Sequence, residues 1–287
     1  MVSGAGCIVI RGRQLELDGL VDCKIRDPAY RKRLQQDFEH AFPFPHLRLD
    51  TLFDPVLLQL VREEFDLYPA RGWRSFSNAQ EQTYRSLPGH RFGPASRLYF
   101  DVVNSSEFVE FLSEISGIKH LIVDCTLFGG GLHESRNGGK FGMHRDFDLH
   151  AETGLANEMV FLTYLNPDWD PAWGGALELW DTKAERSVVH IQPELGTCLL
   201  MKNQADSYHG HPEPMRLPEG IKRRSLASYY YTNPCEQEYR AKARTTVFLS
   251  KSRSALMRDG SLRLARRWSP PVVWDFARRV RMAWAKR

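Results

Sequence analysis

No run of apolar residues in this chain of 287 residues approaches the ~18 that a helix needs to cross a bilayer. The opening stretch, Met1 to Ile10, has no basic residues ahead of its short apolar run, so no secretory leader is expected. The five cysteines (Cys7, Cys23, Cys125, Cys198, Cys235) are odd in number, scattered, and never spaced as CxxC. That pattern argues against a disulfide framework and against a zinc site built on cysteine. Free thiols in a reducing cytoplasm are the expectation. There is no internal repeat and no low-complexity tract. At 42 % hydrophobic and 26 % charged residues the composition excludes collagen-like and wholly disordered chains, and the length allows a substantial core.

Net charge is also scarce, at +4, too small an excess to suggest a nucleic-acid partner. The average conceals a division. Residues 251–287 carry 11 basic and 2 acidic side chains, a net of +9, and the other 250 residues carry −5. An acidic body is joined to a basic tail, and the two need separate arguments. In the tail, Val273, Phe276, Ala277, Val280 and Trp284 fall on one face of a predicted helix opened by Ser269-Pro270-Pro271. Arg278, Arg279, Arg281, Lys286 and Arg287 fill the rest of the surface. Such a helix either docks its apolar face on the acidic body or at a homodimer interface, or lies on an anionic surface.

In the body, Cys7–Ile10 and Gln14–Leu17 flank Arg11-Gly12-Arg13 and predict a hairpin. Asp27-Pro28 and Asp54-Pro55 each place a capping side chain before proline, the signature of a helix start. The first helix is expected to run to about Ala41, and His46–Asp50 reads as a strand between the two. Val56, Leu57, Leu60, Val61 and Phe65 give the second an apolar stripe; Glu63, Glu64 and Asp66 read as its solvated face. From Arg71 to Ser96 the pattern dissolves into a long polar loop with Trp73, Phe76, Tyr84 and Phe92 interspersed, either plain surface or a lid. The arginines there (Arg71, Arg74, Arg85, Arg91, with Arg97 beyond) read as solvated, though they would suit an anionic substrate. Ser106–Ser116 predicts a further helix. Leu121–Phe128, Glu158–Asn166, Ala176–Trp180, Val188–Ile191, Thr197–Lys202 and Ser225–Thr232 are short, β-branched or aromatic, and bounded by turn residues. That spacing predicts a mainly β fold with flanking helices, a sandwich or jelly roll.

Chemistry concentrates in Phe141-Gly142-Met143-His144-Arg145-Asp146. Residues two apart on a strand share a face, so His144 and Asp146 present an imidazole and a carboxylate together. They supply two of the three ligands of a 2-His-1-carboxylate site, which leaves one face of an octahedral metal open. Candidates for the third are His209 and His211, in Ser207-Tyr208-His209-Gly210-His211 at the end of a later strand. His133 and His150 read as loop histidines. Arg223 and Ser225 then place a cation and a hydroxyl on one face, suited to gripping a carboxylate; Arg224 competes if the register slips by one.

From Phe44 to Thr232 the sequence resembles the iron(II)/2-oxoglutarate-dependent dioxygenases, in the prolyl 4-hydroxylase-like branch. The resemblance is carried by Pro43-Phe44-Pro45-His46 and Asn137-Gly138-Gly139-Lys140-Phe141, then the His-x-Asp, Thr163-Tyr164-Leu165-Asn166-Pro167-Asp168-Trp169 and Gly174-Gly175-Ala176-Leu177, then the distal His-Gly and the Arg-x-Ser. It implies a double-stranded β-helix (jelly roll, cupin-like) over 43–250, packed by N-terminal helices, between an N-terminal hairpin and helix over 1–42 and a basic helical extension over 251–287. It implies His144, Asp146 and His209 as Fe(II) ligands, with the His-Gly order favouring His209 over His211. Arg223 and Tyr164 match the residues that hold the distal carboxylate of 2-oxoglutarate, and Ser225 is a second partner. The cofactors implied are Fe(2+), 2-oxoglutarate and O2, with ascorbate as a stimulant. The activity implied is hydroxylation of an unactivated C–H bond with release of succinate and CO2. Asp146 favours hydroxylation over halogenation, since halogenating relatives have a small residue there. The expected substrate is a small molecule or amino-acid derivative; a protein prolyl substrate is the alternative. A zinc or manganese enzyme would leave Arg223, Ser225 and Tyr164 unexplained, and a non-catalytic jelly-roll module is disfavoured because all three ligand positions are filled.

Overall fold

The computed structural model describes residues 6–234 and 245–249, which fall almost wholly in one compact unit, Met1–Phe248. The expected basic helix of the tail lies outside the described residues, as does Cys235. Chain order begins with a hairpin, β1 (Cys7–Ile10) and β2 (Arg13–Glu16), then α1 (Pro28–Glu39), β3 (His46–Leu49) and α2 (Pro55–Leu67). Next come β4 (Trp73–Ser77), β5 (Glu81–Ser86), α3 (Pro94–Val103), α4 (Ser106–Ser116), β6 (Ile122–Val123), β7 (Gly131–Ser135) and β8 (Lys140–Arg145). The remaining strands are β9 (Ala156–Tyr164), β10 (Leu177–Asp181), β11 (Arg186–Ile191), β12 (Cys198–Lys202), β13 (His209–His211), β14 (Arg223–Thr232) and β15 (Val247–Phe248). Both Asp-Pro helix starts form as the sequence predicts: the Asp27 carboxylate accepts from Ala29 N–H, and Asp54 from Val56 and Leu57 N–H.

The main sheet is antiparallel in every strand pairing and curls upon itself. Its order is β11-β10-β13-β8-β5-β7-β14-β9-β12-β3, with β4 on β5, β6 on β14 and β15 on β8. This is the jelly-roll core with flanking helices that the strand spacing implied. Period-two alternation sorts its side chains. On β9, Met159 and Phe161 face the helices, while Val160 and Tyr164 face inward. On β14, Leu226 and Tyr230 face the helices, while Ala227, Tyr229 and Tyr231 face inward. The outer core takes in α1 through α4, and it includes Ile10, Leu15, Leu34 and Phe38 from the N-terminal segment.

Three expectations are corrected. The stretch from Arg71 to Ser96 is neither a lid nor a plain loop: β4 and β5 form a hairpin, and β5 sits inside the sheet between β7 and β8. Its polar composition hid it, because an alternation of Glu81, Thr83 and Arg85 faces a polar interior rather than an apolar core. Helix α3 follows Gly93-Pro94 and is pinned to the sheet by Tyr99 Oη to Thr163 Oγ1 at 2.7 Å and by Tyr230 Oη donating to Val103 O at 2.7 Å. The strand expected over Leu121–Phe128 shrinks to Ile122–Val123.

The acidic run of α2 is a solvated face only in part: Asp66 is exposed and Glu63 half-buried, but Glu64 is not solvated. Glu63 pairs with Arg13 at 2.6 Å, and Asp66 pairs with Arg224. Glu64 is buried and caps α3 from outside. Its carboxylate accepts from Ala95 N–H at 2.8 Å, Ser96 N–H at 2.8 Å and Ser96 Oγ at 2.6 Å. Gly93 leaves room for it, since a Cβ there would lie 2.3 Å from the Glu64 carboxyl carbon. Glu64→Ala is expected to lower stability by about 1–3 kcal/mol through loss of that cap, measured as a shift in the urea midpoint.

Candidate metal and co-substrate site

The inner face of the curled sheet encloses a cavity reached by side chains from β5, β7, β8, β9, β10, β13 and β14. At one end, β13 lies antiparallel to β8 with His209 directly opposite His144. Gly210 makes that approach possible: a Cβ at this position would lie 2.7 Å from Phe141 O and 2.8 Å from Gly142 O. Asp146 follows the end of β8 and turns its carboxylate between the two rings. His144 Nε2 is 3.7 Å from Asp146 Oδ1, and His209 Nε2 is 3.8 Å from Asp146 Oδ2. Ligand atoms of the three lie within 4.8 Å of one another, and all three residues are buried. Among the described residues this is the one such His/Cys/Asp/Glu group.

The orientation of both imidazoles is fixed from behind. His144 Nδ1–H donates to Gly142 O at 2.9 Å, and His209 Nδ1–H donates to Ser207 O at 3.0 Å. Each ring therefore turns an unprotonated Nε2 toward Asp146, the tautomer a metal requires. Burial, then the neighbouring His209, pushes His144 well below its ordinary value and keeps it neutral. Phe141 stacks on the His144 ring, with centroids 3.7 Å apart. Phe248 of β15 closes over the same ring at 5.8 Å.

The other end of the cavity is cationic. Arg223 is buried; its Nε donates to Gly175 O at 2.7 Å and its Nη2 to Tyr164 Oη at 3.5 Å, with the guanidinium 5.0 Å from the Tyr164 ring. Burial lowers the Arg223 pKa, and burial raises that of Tyr164 against the pull of Arg223. Gly175, at φ +75°, admits this arrangement, because a Cβ there would lie 2.4 Å from Met215 Sδ and 3.2 Å from Arg223 Cδ. Arg224 points the other way. It reaches Glu134 Oε2 at 3.3 Å, Arg62 O at 3.1 Å and the Asp66 carboxylate, and does not line the cavity. Asn166 sets the register that decides between them. Its Oδ1 accepts from Arg224 N–H at 2.7 Å, and its Nδ2 donates to Arg224 O at 3.0 Å and Pro193 O at 2.6 Å.

Ser225, His211 and His133 also line the cavity. His211 stands outside the three-ligand group, and burial and the Arg223 charge push it well below its ordinary value. His133 is not a loop histidine but a residue of β7 bonded to Gly129 O at 3.1 Å. His150 is buried, 3.3 Å from Asp124, away from the cavity. Trp169 and Trp173 pack against each other and around Met215 and Leu217. Thr83 is a cavity residue that the sequence did not single out, and Arg85, expected to be solvated, is another. Their two-residue spacing was the available signal, obscured by the absence of apolar neighbours. Cys7, Cys23, Cys125 and Cys198 are free thiols.

Residues 130–231 match the family model described as the 2OG-Fe(II) oxygenase superfamily. The cavity just described lies largely within that segment. The segment that carries most of the cavity thus matches the 2OG-Fe(II) oxygenases, a superfamily that implies Fe(II) and 2-oxoglutarate as cofactors. Its fold is similar to that of a Pseudomonas putida prolyl-4-hydroxylase (14 % identity over 70 % of this chain and 98 % of that one, TM-score 0.51). It is also similar to a Trichoplax adhaerens prolyl hydroxylase solved with a hypoxia inducible factor peptide fragment (15 % identity over 76 % and 98 %, TM-score 0.50). Among curated proteins none matches. The donor set fits the implied metal: two imidazoles and one carboxylate suit non-haem Fe(II) and leave positions open. No helix among the described residues is long and apolar enough to cross a membrane.

The neutral buried histidines make stability pH-dependent in the metal-free protein. Unfolded, a histidine titrates near 6.5; folded, His144 and His211 titrate well below that. As pH falls through 6.5 the unfolded chain takes up protons that the folded one refuses. Stability is therefore expected to fall, by up to about 1.4 kcal/mol per pH unit for each histidine. Urea midpoints of metal-free protein at successive pH values between 7.5 and 5.5 measure it; a flat profile would contradict the assignment.

Proposed function

We propose that the chain hydroxylates an unactivated C–H bond of a small molecule or amino-acid derivative, with His144, Asp146 and His209 holding Fe(II) and Arg223, Tyr164 and Ser225 holding 2-oxoglutarate. The observation that carries this reading is a single cavity with a three-ligand metal geometry at one end and a buried, oriented guanidinium at the other. When bound, the metal with 2-oxoglutarate and O2 supplies the oxidising power, and the balance is substrate C–H, 2-oxoglutarate and O2 to substrate C–OH, succinate and CO2. The protein residues bind and orient. Arg223 pairs with the distal carboxylate in a dry site, where a charge-assisted bond is strong. The Tyr164 hydroxyl turns toward the same point. Leu177, Val160 and Leu162 keep water from the methylene chain between the two ends.

Arg85 supports an anionic substrate. Its guanidinium lies 4.7 Å from the Phe76 ring and 5.0 Å from the Phe141 ring, and Phe141 in turn stacks on His144. Glu81, outside the cavity lining, holds Nη2 at 2.6 Å. No further hydrogen bond holds its guanidinium among the described residues, and Arg85 lines the cavity. With Arg223 assigned to the co-substrate, Arg85 is the second cation of the cavity wall and suits a carboxylate one ring away from the metal.

Purified protein with Fe(II), ascorbate and 2-oxoglutarate is expected to release succinate even without a prime substrate. His144→Ala and His209→Ala should each abolish stoichiometric iron binding. Arg223→Met should raise the 2-oxoglutarate requirement about 10- to 100-fold, whereas Arg224→Met should leave it unchanged and lower stability instead. Absence of succinate under all conditions, with stoichiometric zinc in the protein, would overturn the reading. For the substrate, products gaining one oxygen in a 2-oxoglutarate-dependent manner from a metabolite extract should be anionic. They should disappear with Arg85→Met, while substrate-free succinate release persists.

A further inference from the structure

His211 is the cavity histidine whose hydrogen bonds are missing. His144, His209 and His133 each have a ring nitrogen bonded to a backbone carbonyl. His211 is only 4 % exposed; its Nδ1 is shut off from solvent without a partner, and no described residue bonds its other nitrogen. An imidazole always carries at least one N–H, and a buried N–H left unpaired is costly enough that native structures rarely keep one. An aliphatic side chain would fill the same space without that cost. The position is informative as well. β13 runs from His209 at the metal end through His211, which pairs across the sheet with Phe141. His211 lines the same cavity as His209 and Arg223, so it stands on the wall that a molecule bridging those two residues would pass.

We infer that His211 donates a hydrogen bond to the distal carboxylate of 2-oxoglutarate, beside Arg223 and Tyr164. This rests on the reading of Arg223 as the co-substrate anchor. A carboxylate has about four lone-pair directions; with Arg223 Nε committed to Gly175 O, one bond each from Arg223, Tyr164 and Ser225 leaves a direction for a fourth donor. The ligand thus completes the imidazole, and the imidazole completes the ligand. His211 is a binding residue for the co-substrate and not a fourth metal ligand, since it stands outside the group whose ligand atoms converge.

The test uses zinc-loaded full-length protein, in which no turnover occurs, and measures binding calorimetrically. The probes are 2-oxoglutarate and 2-oxopentanoate, which carries a methyl group where 2-oxoglutarate has its distal carboxylate. His211→Leu is expected to weaken 2-oxoglutarate binding about tenfold or more and to leave 2-oxopentanoate binding and zinc content unchanged. His211→Phe, which keeps a flat ring without nitrogens, carries the same expectation. Unchanged 2-oxoglutarate binding overturns the inference. So does an equal loss for both ligands, which would mark a packing role, and so does loss of zinc, which would make His211 a ligand. The wild-type protein gives a reading that needs no variant to fold: the His211 ring nitrogen resonance should shift with 2-oxoglutarate and not with 2-oxopentanoate, and a static resonance overturns the inference. Arg223→Met separates the two levels. If it too leaves 2-oxoglutarate binding intact, the co-substrate reading itself fails; if it alone weakens binding, only the role of His211 does.

Discussion

The pairing of β13 with β8 is the contact on which the site depends. It sets His209 opposite His144 and leaves Asp146, just past the strand end, to close the triangle. The pairing is tight enough that position 210 tolerates no side chain. A one-residue slip would turn His209 away from the cavity, because side chains alternate at every step. The short bonds from His144 and His209 to their own local carbonyls then need only fix ring orientation. Register does the coarse placement and local hydrogen bonds the fine.

The cationic end obeys a second register, held by the Asn166 side chain. By bonding both the N–H and the carbonyl of Arg224, it decides which of two adjacent arginines enters the cavity. The excluded Arg224 is not idle. With Asp66 and Glu134 it ties α2 to the sheet across the outer face. Two neighbouring arginines thus occupy the two faces of one strand, Arg223 in the cavity and Arg224 in the packing of helix on sheet.

Spacing made His144 and Asp146, two apart on a strand, legible as a pair, whereas the choice of His209 over His211 came from the family resemblance and its His-Gly order. Arg223 was legible through its company, since Ser225, Ala227 and Tyr229 share its face. The two Asp-Pro helices, the hairpin and most strands followed from local rules of capping and alternation. The region from Arg71 to Ser96 did not. Periodicity reads strands from apolar alternation, and β5 alternates polar side chains into a polar cavity. Glu64 misled for a related reason: an acidic residue on an amphipathic helix reads as solvated, and only the distant α3 N-terminus explains its burial.

One consequence follows from where β5 comes from. The wall carrying Thr83 and Arg85 is borrowed from a hairpin some sixty residues ahead of the His-x-Asp strand, outside the family-matched segment 130–231. It is stitched in by short seams, Tyr84 and Arg85 against β7 and Glu81 and Gln82 against β8. On the proposed roles, the metal and co-substrate residues and the wall that faces the substrate lie in separate stretches of the chain. The reactive centre can stay frozen while the facing wall is rewritten, so two proteins with identical metal and co-substrate residues need not share a substrate. For this architecture, the hairpin is the stretch in which to look for a change of trade.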